Sequence, residues 1–206
     1  MNKRIKIAVA GVGSCASALI QGVEYYSRNH NETVGLMYPD IGGYRLSDIE
    51  FVLGFDIDAR KVGRSLREAI YSPPNCNMRV IPDDDFINVI SPEARVWKGP
   101  VLDGIAPHMH HLDPSITFLE DTSTPELTSD EFRQLLLTND VDILLNYMPV
   151  GAEEVSAWYI EYAIDAGVHI INCMPTYIST EDARRLELKA IERRVTIVGS
   201  DMRSSY

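Results

Sequence analysis

Gly11, Gly13 and Ala16 stand at the exit of the apolar run Ile5-Lys6-Ile7-Ala8-Val9-Ala10 and at the start of a helical pattern. Three small residues at that spacing leave a turn almost without side chains. Gly11 permits the sharp exit from a strand, Gly13 lacks the Cβ that would hold a phosphate off the backbone, and Ala16 lets the helix lie close on the sheet. The first helical N–H groups, from Ser14 through Cys15 to Ala16, have no intrahelical partner and sit at the positive end of the helix dipole, so they attract an anion. The chemistry that follows is the binding of a dinucleotide through its pyrophosphate. Cys15 reads as a small residue packed beneath this turn rather than as a nucleophile.

An acid further along the chain supports the reading. Asp56 ends the apolar run Phe51 to Phe55, where a carboxylate accepts hydrogen bonds from adenosine ribose hydroxyls and repels a 2′-phosphate, favouring NAD over NADP. The usual separation from the glycines is about 20 residues; here 29–48 roughly doubles it. Asp56 also reads as a helix N-cap, and Arg60 and Lys61 either keep NADP open or form a solvated helix face. The run His108-Met109-His110-His111 has no metal-ligand spacing and reads as a surface helix end; Asp83, Asp84 and Asp85 read as solvated.

The elements that position these residues alternate. Apolar runs at 5–10, 51–56, 141–147, 168–173 and 195–199 have the composition of strands buried on both faces. Helical periodicity covers 14–27, 59–70, 128–138, 151–166 and 180–193. The pattern predicts an α/β fold, a Rossmann-like doubly wound parallel sheet. Two segments, 29–48 and 72–107, break the rhythm and read as long ordered loops. Ligands in such sheets lie outside the carboxyl ends of the strands, which brings Asn146, Tyr147 and the backbone to Val150 forward as walls. Glu153 and Glu154 read as acids complementing a helix N-terminus.

Composition bounds the partners. A chain of 206 residues with 45% hydrophobic content supports one good core, and a net charge of −11 disfavours nucleic acid and anionic membranes. No apolar run reaches the roughly 18 residues of a membrane span. Three scattered cysteines, Cys15, Cys76 and Cys173, form no metal or disulfide pattern and suit a reducing, cytoplasmic setting.

Several blocks, taken in order, resemble one family. Gly11-Val12-Gly13-Ser14-Cys15-Ala16-Ser17, Phe55-Asp56-Ile57-Asp58-Ala59-Arg60-Lys61-Val62-Gly63, Gly99-Pro100-Val101-Leu102-Asp103-Gly104 and Tyr147-Met148-Pro149-Val150-Gly151-Ala152-Glu153-Glu154 are similar to the short prokaryotic form of myo-inositol-1-phosphate synthase. The resemblance spans essentially the whole sequence. It implies an isomerase that converts D-glucose 6-phosphate to inositol phosphate by oxidation, enolisation, intramolecular aldol closure and reduction, with one NAD recycled in a closed site. It also implies a homo-oligomer. By matching position, the coenzyme contacts fall on the glycine loop, Asp56, Ser65, Asn146, Tyr147, Tyr159, Asp201 and Ser204. Ser65 and Ser200 each stand where relatives carry an acid.

The family's catalytic lysines lie beyond Tyr206, so no catalytic residue and no metal ligand is assigned. The same resemblance implies that 1–206 is an NAD-binding domain without the family's catalytic and oligomerising region, short of a final strand or helix. An NAD-dependent dehydrogenase of another small substrate and a non-catalytic NAD-binding domain are the alternatives. A dehydrogenase releases NADH in bulk, and a sensor binds without turnover.

Overall fold

A computed structural model describes residues 4–29, 31–81, 88–105, 109, 111–113, 115–174 and 180–199, the side chains of 180 and 181 excepted. Among these residues six parallel strands form one sheet in the order β3-β2-β1-β4-β5-β6: β1 Ile5–Ala10, β2 Ile49–Asp56, β3 Ile90–Lys98, β4 Ile143–Asn146, β5 His169–Asn172 and β6 Ile197–Val198. This is the Rossmann-like doubly wound order, with its switch point between β1 and β4. The helices are α1 Ser14–Arg28, α2 Leu66–Ala69, α3 Ser129–Thr138, α4 Glu153–Asp165 and α5 Thr180–Arg193.

Each sheet face carries its own core. Ile7 and Val9 of β1 pack with Ala16, Ile20 and Val23 of α1 and with Leu66, Ala69 and Ile70, whereas Ala8 and Ala10 meet Phe132, Tyr159, Ile160 and Leu186 from α3, α4 and α5. The alternation follows from the two-residue period of a strand. On the second face Phe55, Phe132, Trp158 and Tyr159 pack in edge-to-face and tilted pairs, with neighbouring ring centroids 4.9–5.8 Å apart.

Local chemistry sets the boundaries. Thr128 starts α3 with a reciprocal capping box: Glu131 N–H donates to its hydroxyl, and Thr128 N–H donates back to Glu131. Gly167, at φ 76°, follows the C-cap of α4 and turns the chain into β5.

Two expectations are corrected. The helix expected over 59–70 is only Leu66–Ala69. Asp56 and Asp58 side chains take the N–H groups of Ile57, Asp58 and Arg60, Gly63 adopts φ 77°, and Gly63 and Arg64 pair with Val96, so 57–64 is a tethered turn. The segment 72–107, expected to be irregular, contains β3. Its Ala94, Val96 and Lys98 point inward and Arg95 and Trp97 outward; at the sheet edge Pro92 costs no central ladder bond.

The expected loop 29–48 is built of turns, including a 3-10 turn at Leu46–Asp48 that packs on α1. Among the described residues no helix is long and apolar enough to cross a membrane.

Candidate functional site

The strands end in a cleft of about 810 Å³, counting its open mouth. That is the size class of small-molecule and cofactor sites. Gly11, Gly13 and Ser14 form one wall, Asp56, Ile57 and Lys61 the next, and Pro74 and Asn75 a third. Pro100, Val101, Gly104 and Phe118, with Tyr147, Met148, Pro149, Val155 and Tyr159, complete the lining.

The glycine turn is anchored on both sides. Gly11 N–H donates to Phe55 O at 2.8 Å, and Tyr147 N–H donates to Ala10 O at 2.8 Å. Gly11 sits at φ 90°, and a Cβ there would lie 2.6 Å from Tyr147 O, so no other residue fits. Gly13 differs: a Cβ there would meet nothing within 4 Å, because that side of the residue opens into the cleft. Gly13 is also the N-cap of α1, and among the described residues no side chain caps the helix. By contrast α2 and α3 have capping boxes, and the first turn of α4 is taken by Asp103, which accepts from Glu154 N–H at 2.8 Å and Val155 N–H at 3.0 Å. The open amides of α1 therefore face the cleft with their dipole charge unanswered.

Asp56 does more than end β2. Its Oδ1 accepts from Ile57 N–H at 2.8 Å and Asp58 N–H at 3.0 Å; its Oδ2 accepts from Val12 N–H at 3.0 Å and lies 3.5 Å from Lys61 Nζ. The carboxylate thus ties the β2 end to the glycine turn. Lys61, only 3% exposed, also donates to Val12 O at 2.8 Å and Asn75 Oδ1 at 3.0 Å.

Arg60 is turned elsewhere, held by both Asp58 oxygens and by Thr117 O. Burial pushes the Asp58 carboxyl up, but hydrogen bonds from the Arg60 side chain and from the Arg60 and Leu119 amides outweigh it and hold it below its ordinary value. Tyr147 and Tyr159 are both raised, each chiefly by burial. Cys173 adds to the shift at Tyr147 and Asp56 to that at Tyr159, so both phenols stay protonated in the folded protein's range. Burial also raises the Cys173 thiol.

The expected contacts divide accordingly. Gly11, Gly13, Ser14, Asp56, Tyr147 and Tyr159 come together in the cleft lining. Cys15 and Ala16 follow in the first turn of α1, with Ala16 fully buried against the sheet. Asn146 does not line the cleft: it is fully buried, donates to Asn172 Oδ1 at 2.9 Å and joins the ends of β4 and β5. Ser65 is also outside the lining, where its hydroxyl closes the capping box of α2 with Glu68. Asp201 and Ser204 lie outside the described residues, as do Ser200, His108, His110 and Asp83 to Asp85.

Asn75 and Phe118 are lining residues that the sequence reading missed, and Lys61, read there as an NADP contact or part of a solvated helix face, is buried in the lining. Gly63 was the available sign that Lys61 lies on a turn and not on a solvated helix face; Asn75 and Phe118 carry no signal of their own.

No protein-family model matches the chain. Inositol-3-phosphate synthase of Corynebacterium glutamicum is 38% identical over 202 residues, 97% of this chain and 51% of the relative. Inositol-3-phosphate synthase of Mycolicibacterium smegmatis is 36% identical over 206 residues, again 97% of this chain and 51% of the relative. Among solved structures, Ari2 superposes with a TM-score of 0.73 at 27% identity, over 97% of this chain and 53% of Ari2. A myo-inositol-1-phosphate synthase-related protein from Thermotoga maritima gives 0.65 at 18% identity, over 98% of this chain and 56% of that one, and shows the shared fold. The chain is related to the inositol-3-phosphate synthases over nearly its whole length and spans about half the length of the curated relatives it matches.

Proposed function

We propose that this chain is the NAD-binding domain of an inositol-phosphate synthase-type isomerase. The observation that carries the reading is the uncapped start of α1, opening through Gly13 onto a cleft with Asp56 on its wall. Gly13, Ser14 and the following amides hold the diphosphate, and Asp56 stands at the adenosine ribose. Tyr147, Met148 and Pro149 form the wall across from them. Arg60 is engaged by Asp58, which favours NAD over NADP because this guanidinium is not turned to meet a 2′-phosphate.

The coenzyme, when bound, supplies the acceptance and return of a hydride, the role it has in the conversion of D-glucose 6-phosphate to inositol phosphate. The chain's own part is to fix that coenzyme, exclude water with Val101, Phe118 and Val155, and keep both tyrosine hydroxyls protonated. Lys61 is the cation on the cleft wall, and its ammonium is committed to Val12, Asn75 and Asp56. Among the described residues no uncommitted cation therefore lines the cleft to receive a sugar phosphate.

Calorimetric titration of the 206-residue chain with NAD and NADP tests the reading. Saturable binding of NAD, weaker binding of NADP and no inositol phosphate from D-glucose 6-phosphate are expected. Absence of NAD binding overturns the domain reading, and inositol phosphate production overturns the division of labour.

A further inference from the structure

In the turn at the start of α1 the Val12 carbonyl is held by two side chains. Lys61 Nζ donates to Val12 O at 2.8 Å, and Asn75 Nδ2 donates to the same oxygen at 3.2 Å. The two side chains are also joined, Lys61 Nζ to Asn75 Oδ1 at 3.0 Å. Val12 N–H is taken by Asp56 Oδ2, so both polar backbone atoms of Val12 are fixed by side chains from the walls of the cleft.

The consequence lies one residue on. A peptide unit is planar and trans, so the Val12 carbonyl and the Gly13 N–H point in opposite directions. Fixing the carbonyl toward Lys61 and Asn75 fixes the Gly13 N–H away from them. Gly13 has no Cβ to limit rotation of this unit, and among the described residues nothing accepts from its N–H. Without the two donors the peptide is free to turn and the first amide of the anion site is lost.

We propose that Lys61 and Asn75 act as a positioning pair for the coenzyme diphosphate, holding the Val12–Gly13 peptide so that its amide is presented to the ligand. The proposal rests on the dinucleotide reading above. It gives a buried lysine and a loop asparagine a shared task. Neither need touch the ligand. The pair also places a positive charge beside the turn, on the adjoining wall of the cleft, in a chain of net charge −11, where the diphosphate would otherwise meet a repelling field.

The test titrates ADP, NAD and adenosine into the 206-residue chain and into Lys61→Met and Asn75→Leu, with thermal melts alongside. Each variant should weaken ADP and NAD by about tenfold or more, the scale of a lost hydrogen bond that supports a charged ligand. Adenosine, which carries no phosphate, should bind within twofold of the parent. The double variant should lose little more than the worse single one, because the pair holds a single oxygen.

Parent-like ADP affinity in both variants overturns the proposal, and so does an equal loss of ADP and adenosine, which marks general damage. If Lys61→Met melts below the assay temperature, Asn75→Leu decides by the same criteria. Failure of the parent chain to bind ADP and NAD removes the dinucleotide reading itself, and the pair with it.

Discussion

Gly11 and Gly13 sit two residues apart in the same turn, and alanine at each should do opposite things. At Gly11 the methyl enters a backbone with φ 90° and lands 2.6 Å from Tyr147 O and 2.8 Å from Tyr147 C, both main-chain atoms of β4's exit. A left-handed conformation costs an L-residue about 1–2 kcal/mol, and forcing a methyl into a packed site adds about 1–3 kcal/mol. The sum, about 2–5 kcal/mol, corresponds to a fall in Tm of roughly 4–20 °C for a domain of this size, at about 2–4 °C per kcal/mol. At Gly13, φ −86° and ψ −167° suit any residue, and the methyl meets nothing within 4 Å. Gly13→Ala should therefore leave Tm close to the parent's, since the gain of about 0.4–1 kcal/mol from restricting the unfolded chain is offset by alanine's poorer fit at an N-cap. The same methyl projects where a diphosphate would approach, so NAD affinity should fall by more than tenfold. Differential scanning fluorimetry and NAD titration on the two variants read both quantities. A Gly13→Ala chain that binds NAD like the parent, or a Gly11→Ala chain that melts like the parent, refutes the reasoning.

Other substitutions probe the scaffold around the cleft. Asp58 holds Arg60 and the Leu119 amide, and its folded carboxyl lies below the ordinary 3.8. A depressed folded value stabilises above the unfolded pKa and is lost as pH falls through the folded one. Urea midpoints of the parent should thus drop below about pH 4 more steeply than those of Asp58→Asn, which at pH 7 should be less stable by about 1.5–3 kcal/mol; parallel pH profiles count against the assignment. Asp103→Ala uncaps α4, and the loss of about 1–2 kcal/mol should lower Tm by roughly 2–8 °C, whereas an unchanged melt would mean the amides of Glu154 and Val155 find other partners.

How much of this site could be read from the sequence depended on whether a residue's role is dictated by its own backbone or by what comes to meet it. Gly11, Gly13 and Ala16 were legible because the fold demands absent side chains there, and absence shows in a sequence. β3 was hidden for a physical reason. An edge strand needs only one apolar face, so Ala94-Arg95-Val96-Trp97-Lys98 alternates while Pro92 and Glu93 suggest a loop. The period-two pattern was present but short. The helix drawn over 59–70 failed because Asp56, Asp58 and Gly63 each divert backbone that a helix would use, and helical spacing of Val62, Leu66 and Ala69 does not register that competition.

Asp56 shows the limit most clearly. Its position marks it for a ribose, yet four protein donors already converge on its two oxygens, matching the roughly four lone-pair sites of a carboxylate. The longest of these contacts, 3.5 Å from Lys61, is the one a ribose hydroxyl can replace at least cost. Lys61 would then keep two neutral oxygen partners, Val12 O and Asn75 Oδ1, and with them its hold on the glycine turn. The acid and the lysine are thus coupled through a contact that neither motif spacing nor composition contains.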